Sequence, residues 1–70
     1  MTQEDKAREI AQQELAVMEH LQKRPASRME LEYNLGINRR RMEYVLHGLR
    51  QVGFVYRVPG THLMALEEKV

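Results

Sequence analysis

Residues 36–38 read Gly-Ile-Asn, and they constrain the fold of this chain more than any other stretch. Glycine is the residue that most readily ends a helix in the left-handed conformation, and asparagine is among the best residues to start one. With a single residue between these two signals, the apolar helical runs on either side must be joined by a turn of about three residues. The upstream run has its own start signal. Ser27-Arg28-Met29-Glu30 matches the S-x-x-E capping box, in which the hydroxyl and the carboxylate satisfy the first free amides of a helix. Just before it, Pro25 disfavours helical geometry in Arg24 and cannot continue a helical ladder, so 23–26 is a break. The spacing predicts a short helix over 28–35 with Leu31 and Leu35 on one side. It predicts a third helix over 39–52 with Met42, Val45, Leu46, Leu49 and Val52 as its buried stripe, closed by Gly53.

Upstream of the break, residues 3–23 are rich in strong helix formers. Thr2 is a possible N-cap, with Asp5 three positions on. At 100° per residue, Ala7, Ile10, Ala11, Leu15, Val17, Met18 and Leu21 fall on one broad face, as in a helix packed on a core. Glu14 projects near the centre of that stripe, either as a carboxylate reaching past the core edge towards an arginine or as a polar group specifying a dimer contact. Downstream the period changes to two. Phe54 to Val58 form a β-rich run, Pro59-Gly60 is a turn signal suited to type II, and His62 to Leu66 form a second run. These predict a hairpin with a bulge or a slightly longer loop, followed by a frayed stretch from Glu67 to Val70. Gly48, in mid-helix, implies close packing against another helix or the hairpin. The tyrosines Tyr33, Tyr44 and Tyr56 read as core edge or hairpin packing, with only Tyr44 also placed to meet a ligand, and the five Met residues read as core filler.

Seventy residues make one small domain, 1–70, without repeats or low-complexity segments. The absence of cysteine removes disulfides and thiolate metal sites as supports for so small a core, and fits a reducing cytoplasm. The N-terminal residues do not resemble a signal peptide, and no apolar run approaches a membrane span, so no membrane partner is expected. Asp5 is the sole Asp and Ser27 the sole Ser, and the three His have no metal-ligand spacing. No catalytic residues, no metal site and no cofactor are therefore expected. The net charge of +1 hides a segregation: residues 1–22 carry −3, residues 23–57 carry +5, and the tail carries −1. Three of the central cations are the consecutive Arg39, Arg40 and Arg41.

The order of helix, short helix, three-residue turn, amphipathic helix and small hairpin is that of an α+β domain, and from Ser27 to Tyr56 it resembles a winged helix-turn-helix of the bacterial transcription-regulator kind. Leu31 and Leu35, Gly36-Ile37-Asn38, and Met42, Val45, Leu46 and Leu49 carry the resemblance. So does the passage Leu49-Arg50-Gln51-Val52-Gly53-Phe54-Val55 from recognition helix into wing. One position departs: where the family usually has Ala four residues before the turn glycine, this chain has Glu32. Either the helix pair is opened, or Glu32 lies at its edge and pairs with Arg28 or Arg40. The resemblance implies sequence-specific binding of double-stranded DNA and regulation of transcription, with helix 39–52 in the major groove. On that helix Arg40, Glu43, Tyr44 and His47 are placed to meet base edges. Ser27, Arg28, Arg39, Arg41 and Arg57 are the corresponding candidates for phosphate contacts. A homodimer, or a protein partner met through helix 3–23 or the hairpin, would extend so small a module. Stability alone would not place three arginines at the positive end of a helix dipole, although arginine is a good helix former when solvated. Glu43 on the reading face and the uncharged tip Val58-Pro59-Gly60-Thr61 point instead to a domain of this fold that binds protein.

Overall fold

A computed structural model describes residues 2–67. Its elements in chain order are α1 (Gln3–Lys23), β1 (Ala26–Ser27), α2 (Arg28–Leu35), α3 (Arg39–Gln51), β2 (Val55–Arg57) and β3 (Leu63–Leu66). Three helices pack with one antiparallel sheet in the order β1-β3-β2, a small α+β domain.

Each helix begins where a short polar side chain can take a free amide. Thr2 Oγ1 accepts from the Asp5 N–H at 3.2 Å, Ser27 Oγ from Glu30 at 3.1 Å and Asn38 Oδ1 from Arg41 at 2.8 Å. Glu30 does not complete its capping box, because its carboxylate pairs with Arg24 at 2.7 Å. Gly36 ends α2 at φ 65°, a conformation that disfavours side chains bearing a Cβ. The chain then re-enters a helix at Arg39, so the three-residue turn is present as expected.

The core draws on every element and on the turn between α2 and α3. Val17 and Leu21 of α1, Leu31 of α2, Met42, Val45, Leu46 and Leu49 of α3, and Val55 and Met64 of the sheet are all buried, with Ala26 and Ile37 closing the corners. Among the described residues no polar or charged side chain is buried.

Several expectations need correction. Residues 26–27 form a strand, β1, so the sheet has three strands and not two, with Ala26 opposite Met64 and Ser27 opposite Leu63. The physical reason is local: a residue before proline and an N-cap both favour extended backbone, and Arg24 (φ −171°, ψ 158°) and Ser27 (φ −76°, ψ 162°) adopt it. A segment already extended needs only a neighbouring strand to pair with.

The apolar stripe of α1 is only half used. Ala7, Ala11 and Leu15 are exposed, and the seat is centred on Val17 and Leu21. The buried face is narrower than the apolar stripe, so Ala7, Ala11 and Leu15 fall on the flank of the face that Val17 and Leu21 bury. Val52, expected in the stripe of α3, caps the helix end and is 58% exposed. Tyr33 (89% exposed) and Met29 (71%) stand on the outside of α2, not at the core edge or within it.

Glu14 makes no ion pair among the described residues; its carboxylate lies over Gly48, where a Cβ would sit 3.6 Å from Oε2. That is ordinary contact, so Gly48 is not required by close packing. Phe54 lies outside the strand, yet its N–H donates to Leu49 O and its carbonyl accepts from Glu67, both at 2.9 Å. Glu67 is thereby tied to the ladder, while 68–70, the rest of the stretch read as frayed, lie outside the described residues. The hairpin has the longer loop: Val58 N–H donates to Leu63 O at 2.9 Å, around a turn in which Gly60 takes φ 77°.

Candidate nucleic-acid interface

The outward side of α3 follows from its inward side. With Met42, Val45, Leu46 and Leu49 buried, helical periodicity sends Arg40, Tyr44, His47 and Gln51 to the opposite side, and all four are exposed. They form one ridge along the helix, within which Gln51 Nε2 meets His47 Nε2 at 3.2 Å. Unlike α1, which starts with Glu4 and Asp5, α3 has no acid in its first turn.

The three arginines that open α3 have three different surroundings. Arg39 reaches one turn along the helix to Glu43 at 3.0 Å, an exposed pair. Arg41 turns inwards to α1, where Nη1 donates to Gln13 Oε1 at 3.0 Å and lies 3.7 Å from Glu9. That leaves it 25% exposed, and makes it a tie between two helices. Arg40 forms no ion pair among the described residues and heads the ridge.

Two hollows flank the ridge. On the α1 side, Lys6 and Ile10 face Asn38, Arg39, Arg40, Arg41 and Tyr44. On the sheet side, the start of α2 with Ser27 and Arg28 faces Glu43, His47 and Arg50 of α3 and Arg57 and His62 of the hairpin. The structure thus brings Ser27, Arg28, Glu43, His47 and Arg57 together and places Arg39, Arg40, Arg41 and Tyr44 around the other hollow. Arg28 forms an ion pair with Glu32 within α2, so the unusual glutamate sits at the helix edge, as one of its two readings required.

Three cationic or polar groups on these walls were not assigned by sequence reasoning. Arg50 could have been found, since it lies three residues beyond His47 and seven beyond Glu43 on the same side of α3. Lys6 and His62 are brought there by tertiary packing alone and carried no sequence signal. Among the described residues no three His, Asp or Glu side chains converge as metal ligands would, and no helix is long and apolar enough to cross a membrane.

Comparison of the chain with protein-family models, with curated proteins and with solved structures finds no match. The candidate site therefore stands on its own geometry: an exposed polar ridge with a cation at its head, flanked by two hollows rich in arginine.

Proposed function

We propose that this protein binds double-stranded DNA through α3 in the major groove and regulates transcription, in the manner of a winged helix-turn-helix. One observation carries the reading: the ridge Arg40, Tyr44, His47 and Gln51 is exposed along the whole of α3, with Arg40 unneutralised at the end that leads into the groove. Arg40 is suited to a bidentate bond with guanine, and Tyr44 and His47 follow it towards neighbouring bases. Glu43 can accept from cytosine N4 once Arg39 moves to a phosphate, which that exposed pair permits at small cost. Ser27, Arg28 and Arg57 on the sheet side are placed for phosphates. Arg41, held by α1, supports the helix in preference to touching DNA. The role is one of binding without catalysis, in the cytoplasm, and two copies would read two half-sites with greater affinity than one.

Fluorescence anisotropy on a random-sequence duplex at low and moderate salt tests this. Binding should weaken steeply as salt rises, and Arg40→Ala should weaken it at both concentrations without unfolding the domain. No binding even at low salt sinks the reading. That outcome would select a protein-binding domain of the same architecture, which the exposed Met29 and Tyr33, one turn apart on α2, and the uncharged hairpin tip favour.

A further inference from the structure

The bond between Gln51 and His47 decides more than the packing of two surface side chains. Gln51 Nε2 meets His47 Nε2 at 3.2 Å, one turn apart on the exposed side of α3. An amide nitrogen donates and does not accept, so Gln51 supplies the hydrogen and His47 Nε2 takes it. The proton of the neutral ring then sits on Nδ1, because the bond made at one ring nitrogen decides the form of the other. His47 Nδ1 makes no hydrogen bond among the described residues, so this N–H is free to donate. At the head of the ridge Arg40 also offers donors alone, and it forms no ion pair among the described residues. Tyr44, between them, can donate or accept. Glu43, the one acid of α3, is held by Arg39 at 3.0 Å.

Resting on the DNA reading above, we propose that the ridge reads a guanine-rich strand, and that Gln51 is a positioning residue that keeps His47 a donor. In the major groove guanine shows two acceptors, N7 and O6, whereas cytosine shows a donor and adenine one of each. Donors at both ends of the reading segment therefore find their best complement in guanine, and cytosine against His47 would set donor against donor. From Arg40 to His47 the helix rises about 10 Å, which matches about three steps of a strand. The cytosines paired with those guanines present their N4 donors to Glu43 when Arg39 releases it.

Two measurements on the full chain test this. Long-range proton–nitrogen correlation spectra of the free protein at mildly alkaline pH should place the His47 proton on Nδ1. In Gln51→Glu a carboxylate accepts where the amide donated, so the proton should move to Nε2 with circular dichroism unchanged. Anisotropy competition then sets a duplex with a guanine run against the same duplex made with 7-deazaguanine, which lacks the N7 acceptor and still pairs with cytosine. Wild type should prefer the unmodified duplex by about tenfold. Gln51→Glu should narrow that ratio, whereas Lys23→Ala, an exposed cation at the far end of α1, should leave it as it is. A wild-type His47 proton on Nε2, or an unchanged ratio in Gln51→Glu, overturns the role of Gln51. Duplex binding that ignores 7-deazaguanine overturns the guanine reading while leaving DNA binding intact. Absence of wild-type binding even at low salt removes the DNA reading, and this proposal with it.

Discussion

Arg40 and Arg41 are neighbours in sequence with opposite duties, and separate measurements tell them apart. Replacing Arg41 by Met keeps its stem over α1 but removes the bond to Gln13, so urea denaturation should show a loss of about 1 kcal/mol with duplex affinity largely kept. Arg40→Ala should do the reverse. Equal behaviour of the two variants in both assays would refute the division. The glycines offer a second contrast at this scale. Gly36 sits at φ 65°, and alanine there should destabilise by about 1 kcal/mol. Gly48 has helical geometry and room for a methyl group against the flexible end of Glu14. Gly48→Ala should therefore stabilise by up to about 1 kcal/mol, raising Tm by about 4–8 °C in a domain of this size. Thermal melts that move both variants the same way would contradict this.

Among the elements, those with local causes were legible in the sequence. Caps, breaks and the three-residue turn are decided within a few residues of where they act, which is why Thr2, Ser27, Gly36 and Asn38 could be assigned without a fold. The face of α3 was legible for the same reason, since its periodicity alone separates Leu46 from His47. What escaped depends on distant partners. β1 exists because Met64 lies beside Ala26, and the apolar stripe of α1 is half unused because its neighbours cover a face narrower than the stripe. Arg50, Lys6 and His62 joined the site by packing, so local pattern gave them no distinguishing mark beyond the position of Arg50 on its helix. Ser27 links both classes, being the cap of α2 and a residue of β1. Ser27→Ala should cost about 1 kcal/mol through the cap while leaving the backbone pairing with β3, as hydrogen exchange at Met64 can show.

For the whole molecule, charge is segregated along the chain. The segment 1–22 carries −3, the segment 23–57 carries +5, and among the described residues the one ion pair between an acid of α1 and an arginine of α3 is Glu9 with Arg41. On the proposed DNA reading, such a distribution would orient the domain as it approached a duplex. The outer side of α1, with Ala7, Ala11 and Leu15 exposed, is the surface through which two copies could pair. Sedimentation equilibrium should give a dimer, and Leu15→Glu should return it to a monomer with weaker binding to a two-site duplex. A wild-type monomer at high concentration would count against pairing. The sheet order carries one more consequence. Its central strand, β3, is the last of the domain's elements to leave the ribosome, and both β1 and β2 depend on it. Until residues 63–66 emerge, the three helices have apolar sides but no sheet on which to close. A nascent chain stalled before that point would display α3 without the scaffold that aims it, so any activity that depends on the aim of α3, the proposed DNA binding included, would arrive with β3 and not by degrees.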